Sequence, residues 1–281
     1  MTNILLTGAG GGAAIGVIKS LRMSGKKYHI VVTDADGLSA GFLLANKSYV
    51  VPMASEETAF IGEIARIIGK EHIDFILPTS SFDIEPLSLN KDHLKKLGTR
   101  ILINDYSTIT ICHDKLTTRK VLGKMSFIPG EGEYERFRFE KERNGETFKE
   151  EYLPGEEYTV DILSDMEGNY IMAVPRLRIR TLGSYTYKGE VVMDREIITI
   201  CKWICNYLKL KGVNCIQLKR DKNDKPKLVE INPRFGGSTH FTTLAGANFA
   251  QMLIDIGFGK KIKIPKIKPM KIIRYFSEII C

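Results

Sequence analysis

The sequence predicts an α/β protein in which a parallel sheet with helices on its faces is followed by an antiparallel sheet. In the first hundred residues, short apolar runs alternate with segments of helical periodicity, which is typical of a parallel sheet. From Tyr158 onward the apolar runs come in pairs separated by short polar turns, which predicts β-hairpins. A glycine-rich turn from Gly8 to Gly12 joins the first strand to the first helix. The two patterns indicate two architectures in one chain.

The N-terminal part is predicted to contain strands and helices in strict alternation. The strands are the apolar runs at residues 4–6, 30–32, 75–78 and 101–103. The helices cover residues 13–21, 60–68 and 83–97, where apolar side chains recur at helical spacing. Strands separated by helices in this way form a parallel sheet.

The remainder of the chain is predicted to pair its strands antiparallel. Residues 118–122 have helical spacing, and residues 125–149 are polar, charged and weakly patterned. A first hairpin joins residues 158–163 to 170–174, and a helix covers residues 195–208. A second hairpin joins residues 215–218 to 227–231 through a polar turn.

Charge and cysteine content exclude several classes of protein. The net charge is +8, but residues 260–274 hold seven basic residues and no acid, so the rest is nearly neutral. Lysine and isoleucine alternate there around two prolines, which predicts an edge strand with a solvated lysine face rather than a nucleic-acid or membrane surface. Its isoleucines are expected to pack inward in part, namely Ile262, Ile264, Ile267 and Ile272. No apolar run is long enough to span a bilayer, and no signal peptide is recognisable, so we expect a cytoplasmic protein. The five cysteines match no zinc spacing and are expected to stay reduced.

The glycine-rich turn has two interpretations. Glycines between a strand and a helix let a ligand approach the backbone at the helix N-terminus. Asp34 ends the second strand, where a dinucleotide-binding carboxylate would stand, so a nicotinamide-dependent oxidoreductase is one hypothesis. The same turn is also an efficient way to pack a helix on a sheet. By itself, the motif leaves both interpretations open.

A second motif carries ligand chemistry for a divalent cation. Glu230 and Asn232 alternate on one predicted strand and so face the same side, with Arg234 two residues further. A carboxylate and an amide oxygen suit Mg²⁺, which takes few protein carboxylates beside phosphate oxygens. Antiparallel pairing would bring Gln217 of the preceding strand close to Glu230. A surface hairpin explains the alternation, but it does not explain this combination of residue types.

A third motif is the acidic run from Glu150 to Asp161, which contains Leu153, Pro154 and Gly155. A short apolar connector with free backbone groups can bind an adenine edge, and a carboxylate nearby can accept ribose hydroxyls. Taken alone, the run is an acidic turn before a strand.

Together these motifs resemble the ATP-grasp superfamily, in particular its carbamoyl-phosphate-synthase-like branch of carboxylate–amine ligases. The E-I-N-P-R run resembles the metal-binding strand of that family and implies Glu230 and Asn232 as metal ligands and Arg234 as a catalytic cation. Gln217 stands at the position where other branches have an acidic metal ligand. The carbamoyl-phosphate-synthase branch likewise has a glutamine at this position. The resemblance implies that ATP and two Mg²⁺ ions bind. It also implies a Rossmann-like pre-ATP-grasp domain whose glycine-rich start binds acceptor substrate rather than a dinucleotide.

The resemblance assigns further residues to the nucleotide and the substrates. The E-Y-L-P-G-E-E-Y run implies adenine binding at the hinge and ribose binding by a following carboxylate, and an H-D-K run implies a phosphate-binding lysine. The nucleotide-binding candidates are therefore Lys115, Glu150, Glu151, Tyr152, Leu153 and Glu157. The strand after the hinge adds Arg176 and Arg178 as catalytic candidates, and the acceptor side is expected to include Gly10, Gly11, Ser80 and Ser81.

One region departs from the family. The expected domains are residues 1–108 for the pre-ATP-grasp unit, 109–150 for a shortened lid and 151–281 for the nucleotide- and metal-binding unit. Between Lys120 and Glu150 there is no lysine on an apolar strand and no Gly/Ser-rich phosphate loop. We therefore expect that this stretch is mobile, that ATP binds weakly and that turnover is slow.

The expected reaction is ATP- and Mg²⁺-dependent activation of a carboxylate as an acyl phosphate, followed by attack of an amine or a similar nucleophile. Partners are then small-molecule carboxylates and amines, with no nucleic acid and no membrane, and a homodimer is left open. Two alternatives remain: a nucleotide-binding pseudoenzyme with a regulatory role, and the nicotinamide oxidoreductase.

Overall fold

The fold was analysed in a computed structural model that describes residues 1–123, 125–129, 139–141, 147–149 and 151–280. The strands are β1 Thr2–Thr7, β2 Tyr28–Asp34, β3 Lys47–Val50, β4 Phe75–Pro78, β5 Arg100–Ile101, β6 Phe139–Lys141, β7 Thr147–Lys149, β8 Glu157–Ser164, β9 Tyr170–Leu182, β10 Tyr185–Val191, β11 Val213–Arg220, β12 Pro226–Asn232 and β13 Met270–Ile273. The helices are α1 Gly12–Met23, α2 Gly41–Leu44, α3 Glu57–Glu71, α4 Ile84–Leu89, α5 Lys91–Lys95, α6 Tyr106–His113, α7 Lys115–Leu122, α8 Arg195–Leu208, α9 Thr239–Leu244 and α10 Phe249–Gly257.

The first five strands form a parallel sheet in the order β3-β2-β1-β4-β5. The chain adds β2 and β3 on one side of β1 and then β4 and β5 on the other, so the order reverses between β1 and β4. Ligands of open α/β sheets bind in the crevice at such a reversal, beyond the carboxyl ends of the strands. The parallel sheet confirms the predicted architecture of the N-terminal part.

The second large sheet is antiparallel and has the strand order β12-β11-β8-β9-β10-β13. One of its faces is covered by α8, whose Ile197 and Ile204 pack with Val160 and Ile216 in a buried apolar cluster. The opposite face carries polar residues that face the N-terminal sheet. The antiparallel sheet confirms the second predicted architecture. Strands β6 and β7 form a separate two-stranded pair.

A single apolar cluster joins the two sheets. It contains Ile4 of β1, Val17 of α1, Val174 of β9, Phe241 of α9 and Phe249 of α10, all of them buried. Burial of apolar surface on this scale is the main stabilising contribution to folding. The relative position of the two sheets is therefore fixed by packing, and so is the geometry of the cleft between them.

Several elements differ from the sequence-based expectations. The helix expected at residues 83–97 is interrupted at Asn90, which ends α4 and precedes α5. Strand β3 was not predicted, and β9 continues to Leu182 and turns into an unpredicted strand, β10. Helix α6 runs through the expected domain boundary at residue 108, so we propose that the boundary precedes Tyr106.

The basic segment is less regular than expected. Only Met270–Ile273 forms a strand, although this strand does lie at the edge of the sheet. Ile262, Ile267 and Ile272 pack against the main core as predicted. Ile264 was expected to pack as well, but 60% of its surface is exposed.

No helix in the described part of the chain is long and apolar enough to cross a membrane. The expected mobility of the shortened lid concerns residues that lie largely outside the described ranges.

Candidate functional site

A cleft of about 800 Å³ lies between the carboxyl ends of the parallel strands and the polar face of the antiparallel sheet. On one side it is lined by Gly8 and residues 10–13 after β1, by Asp34 at the end of β2 and by Thr79 to Asp83 after β4. On the other side it is lined by residues of β8 to β12 and by the loop that follows β12. The cleft thus lies at the reversal point of the parallel sheet, where a ligand site is expected.

The candidate metal ligands lie together on the antiparallel side of this cleft. Gln217 of β11 is directly opposite Glu230 of β12 in the register, which is the proximity proposed from the sequence. The amide nitrogen Nδ2 of Asn232 donates to Oε1 of Glu230 over 2.6 Å. One carboxylate and two amide groups therefore share one patch of the cleft wall.

Two arginines hold the oxygen atoms of this patch. Arg178 donates from Nη1 to Oε1 of Gln217 over 3.2 Å and from Nη2 to the carbonyl oxygen of Ser184 over 2.9 Å. Arg234 donates from Nη2 to Oδ1 of Asn232 over 3.1 Å and from Nη1 to the carbonyl oxygen of Phe235 over 2.7 Å. The two cations thus orient both amide side chains, whose oxygen atoms each keep a second lone pair for another partner.

The donor set fits a magnesium ion that is shared with a phosphate group. Mg²⁺ is held in such sites by one or two protein carboxylates together with phosphate oxygens and water, and Glu230 with two amide oxygens has this composition. Arg178 and Arg234 supply positive charge beside it, which suits bound phosphate. No group of three His, Cys, Asp or Glu residues within the described ranges could hold a metal by itself.

The hinge candidates lie outside the cleft. Leu153 is buried, and Tyr152 is half exposed with the ammonium group of Lys219 5.9 Å from its ring centre. Glu157 begins β8 and forms an ion pair with Arg178, so it contacts a cleft residue without lining the cleft. Glu151 is half-buried, and Glu150 lies outside the described residues.

Lys115 is also not among the residues that line the cleft. It is the first residue of α7, whose N-terminus is capped by the carboxylate of Asp114 accepting from the backbone N–H of Thr117 over 2.6 Å. The structure therefore does not bring Lys115 together with the metal-type ligands.

Arg176 requires a correction, because it does not face the cleft. Its guanidinium group is 1% exposed and pairs with the fully buried Asp161 over 2.6 Å. It also donates to the carbonyl oxygen of Ser238, while Oγ1 of Thr242 donates to Asp161 over 2.7 Å. The guanidinium group belongs to a buried network of hydrogen bonds that links β8 and β9 to α9. We therefore remove Arg176 from the catalytic candidates and assign it a structural role.

The acceptor-side candidates do line the cleft. Gly8 has a positive φ of 76°, and a Cβ added there would lie 2.5 Å from Cβ of Ser80. The close contact between the loops after β1 and β4 therefore requires a glycine at this position. Gly10 and Gly11 follow in the same loop, and Ser81 accepts a 2.6 Å hydrogen bond from Nε of Arg234. This bond connects the acceptor side directly to the patch of metal-type ligands.

Several cleft residues were not predicted from the sequence, among them Tyr185 and Asp83. Tyr185, at the start of β10, places its ring so close to Gly12 that a Cβ there would lie 2.8 Å from Cε1 of the tyrosine. Asp83 follows the two serines after β4, and the rule that ligands bind beyond strand ends could have identified it. Tyr185 is the first residue of β10, a strand that was not predicted, and no local sequence pattern marks it as a cleft residue.

Asp83 has an unusual acidity. Burial, and to a smaller extent the negative charge of Asp34, raises the pKa of the Asp83 carboxyl to about 6. Desolvation and a neighbouring like charge both disfavour the ionised form. Carboxylates with perturbed acidity are more frequent in functional clefts than elsewhere.

Comparisons with known proteins identify both parts of the chain. Residues 4–102 match the family described as the PylC-like N-terminal domain. Residues 147–278 match the family described as ATP-grasp in the biosynthetic pathway with Ter operon. A comparison with curated protein sequences finds no match.

Several solved structures are similar in fold over nearly the whole chain. N5-carboxyaminoimidazole synthetase from Staphylococcus aureus complexed with ADP has a TM-score of 0.71 at 15% identity, covering 96% of this chain and 81% of that one. L-amino acid ligase from Bacillus licheniformis has a TM-score of 0.66 at 13% identity, covering 92% of this chain and 74% of that one. Pyruvate carboxylase from Rhizobium etli has a TM-score of 0.68 at 17% identity, covering 93% of this chain.

The chain spans 28% of the length of that pyruvate carboxylase. At these identities the likeness to solved structures concerns the fold, and it agrees with the two sequence families. The part of the chain from residue 4 to residue 102 therefore matches a PylC-like N-terminal domain, and the part from residue 147 to residue 278 matches an ATP-grasp domain.

Proposed function

We propose that the protein is an ATP- and Mg²⁺-dependent ligase that activates a carboxylate as an acyl phosphate for attack by an amine or a similar nucleophile. The observation that carries this proposal is the convergence of Gln217, Glu230 and Asn232 with Arg178 and Arg234 in one cleft. Oxygen ligands for a hard cation and two fixed guanidinium groups are the components that phosphoryl transfer requires.

Each of these residues has a role in the proposed reaction. Glu230, with the amide oxygens of Gln217 and Asn232, would hold the Mg²⁺ ions, which the family resemblance implies to be two. When bound, the ions offset the negative charge of the phosphates. Arg234 and Arg178 hold the transferred phosphoryl group or the carboxylate, because a planar guanidinium binds either in two-point contacts.

The reaction proceeds in two steps. An oxygen of the substrate carboxylate attacks the γ-phosphorus of ATP, and ADP leaves with the electrons of the broken P–O bond. The nitrogen of the amine then attacks the acyl carbon, inorganic phosphate leaves, and the nitrogen loses a proton. The Arg234–Ser81 hydrogen bond supports this sequence, because it connects the phosphoryl side of the cleft to the acceptor side.

The nucleotide assignments follow the family resemblance. Glu151, Tyr152 and Leu153 would bind adenine, Glu157 ribose, and Lys115 the phosphates, together with Glu150. Glu157 forms an ion pair with Arg178, so ribose binding would exchange this pair for hydroxyl contacts.

A nicotinamide cofactor is disfavoured by two contacts of the glycine-rich turn. The backbone N–H of Gly10, which would face a pyrophosphate, donates to Oδ2 of Asp34 over 2.8 Å. The ring of Tyr185 covers Gly12 at the N-terminus of α1, where the pyrophosphate of a dinucleotide would bind. The pseudoenzyme hypothesis shares the proposed nucleotide site and differs only in lacking turnover.

The proposal is tested by an ADP-release screen that crosses carboxylates with amines in the presence of Mg²⁺ and ATP. We expect ADP release that requires both substrates. Thermal shifts with ATP and with NAD form the control. Stabilisation by ATP with no ADP release in any combination would favour the pseudoenzyme, and stabilisation by NAD alone would contradict the proposal.

A further inference from the structure

The two ends of the cleft carry opposite charge. At the antiparallel end, the cations are Arg178 and Arg234. At the other end, the described lining residues from the loops after β1, β2 and β4 include three carboxylates and no lysine, arginine or histidine. These carboxylates are Asp34, Asp36 and Asp83. A ligand that spans the cleft therefore meets guanidinium groups at one end and carboxylates at the other.

Asp34 is fixed in position by two backbone groups. Oδ2 accepts from the N–H of Gly10 over 2.8 Å, and Oδ1 accepts from the N–H of Asp36 over 3.0 Å. Each carboxylate oxygen has a second lone pair, so both can still accept a hydrogen bond from a ligand. The carboxylate is thus held in place by the loop and remains available on the cleft side.

Asp83 lies close enough to Asp34 for the two charges to interact. Burial and the charge of Asp34 raise the pKa of Asp83 to about 6. Part of the unfavourable interaction between the two carboxylates would be relieved by a cation bound between them. No basic side chain among the described cleft residues supplies one at this end.

A separate observation is an unpartnered hydroxyl group at the same end of the cleft. Thr33 lines the same end of the cleft, is fully buried, and its Oγ1 has no hydrogen-bond partner within the described residues. Buried side-chain hydroxyls normally have a partner. A ligand nitrogen that carries several N–H groups could satisfy this hydroxyl together with the two carboxylates.

We propose that the end of the cleft at Asp34, Asp83 and Thr33 binds a cationic nitrogen, an ammonium or amidinium group, of the acceptor substrate. The acceptor is then an amine with a second basic nitrogen, which stays protonated at this end while the first one reacts. Its role as acceptor rests on the ligase reaction proposed above, whereas the binding of the cationic group does not.

Calorimetry on the full chain tests the site with two small five-carbon ligands of equal length. Cadaverine is a diamine with two ammonium groups, and in pentanediol hydroxyls replace both of them. Because hydrogen bonds to charged groups are the stronger class, we expect cadaverine to bind about tenfold more tightly than pentanediol. Asp83→Asn should abolish this preference, and Thr33→Val, which keeps the shape and removes the hydroxyl, should weaken cadaverine binding severalfold.

The control variant is Asp92→Asn, an exposed carboxylate on α5, which should keep the preference. Thermal melts establish that each variant is folded. Equal affinity for cadaverine and pentanediol, no binding of cadaverine, or an unchanged preference in Asp83→Asn would overturn the proposal.

The outcomes separate this site from the ligase reaction. A cadaverine preference that Asp83→Asn removes, without ADP release for any substrate pair, would support the cation site and contradict the ligase. As an acceptor, aminopentanol would react through its amine and present a neutral hydroxyl at the carboxylate end. ADP release that is equal with cadaverine and aminopentanol and unaffected by Asp83→Asn would support the ligase and contradict the cation site.

Discussion

Nε of Arg234 donates a 2.6 Å hydrogen bond to Oγ of Ser81 and so connects the loop after β12 to the loop after β4. The two residues are 153 positions apart in the sequence. The same guanidinium group also bonds to Asn232 and to the backbone of Phe235. One side chain therefore positions a metal-type ligand and the acceptor loop at the same time.

Replacing Arg234 should impair catalysis far more than stability. Arg234→Lys keeps the charge, but a single ammonium group cannot make the three contacts of the guanidinium. We expect the rate of ADP release to fall by about a hundredfold, the loss typical of removing one donor that stabilises developing charge. Thermal melts and ADP release should be measured together. The exposed Arg66 provides the control, since Arg66→Lys should change neither property, and an unimpaired Arg234→Lys variant would contradict the assigned role.

Ser81→Ala tests the acceptor side of the same contact. We expect the Michaelis constant for the acceptor to rise, because the loop after β4 loses its link to Arg234, while the affinity for ATP stays unchanged. A change confined to ATP affinity would show that Ser81 does not act on the acceptor side.

The buried pair of Arg176 and Asp161 should contribute to stability rather than to chemistry. Breaking a buried ion pair from one side leaves an uncompensated charge, which typically costs about 3–5 kcal/mol. We expect Arg176→Met to lower the free energy of unfolding by this amount. Adding Asp161→Leu should recover part of the loss, because no buried charge then remains. Denaturant unfolding of the single and double variants measures the effect, and strictly additive losses would contradict the pairing.

Arg176 and Arg178 lie on the same face of β9 but differ in their role. The alternation in β9 predicts that the two side chains share a face, but it does not predict how deeply each of them is buried. The burial of Arg176 depends on α9, whose Thr242 donates a hydrogen bond to Asp161, the partner of Arg176, from 81 positions away in the sequence. By contrast, the pairing of Gln217 with Glu230 depends on two adjacent strands and a short turn, so it was predicted correctly. Tyr185 escaped prediction because it acts on the cleft through Gly12, a contact that no local pattern encodes.

Asp83 should give stability a distinctive dependence on pH. Its pKa of about 6 in the folded protein lies above the ordinary aspartate value of 3.8, so the native state binds the proton more tightly than the unfolded chain. Its contribution to the free energy of unfolding should therefore decrease as pH rises from about 4 to about 6, by at most about 3 kcal/mol. Unfolding of wild type and Asp83→Asn at several pH values isolates this contribution. Parallel profiles for the two proteins would show that Asp83 titrates normally.

The basic segment should not take part in binding. Lys263, Lys266, Lys268 and Lys271 are exposed, and Ile262 and Ile267 anchor the segment to the core. Replacing these four lysines by glutamine should leave nucleotide binding unchanged. Filter binding with RNA and sedimentation with anionic vesicles form the second arm. Salt-sensitive binding to either that disappears in the variant would assign the segment a function beyond structure.

The central claim is that Glu230, with Gln217 and Asn232, holds magnesium together with the phosphates of ATP. Calorimetry with a non-hydrolysable ATP analogue, in Mg²⁺ and in EDTA, tests it most directly. Wild type should bind the analogue more tightly in Mg²⁺. Glu230→Gln should lose this difference while melting normally, because the half-buried carboxylate contributes little to the core. Glu190→Gln, which removes a half-buried carboxylate of β10 outside the cleft, should retain the difference. Equal affinity of wild type in Mg²⁺ and in EDTA would contradict the metal site.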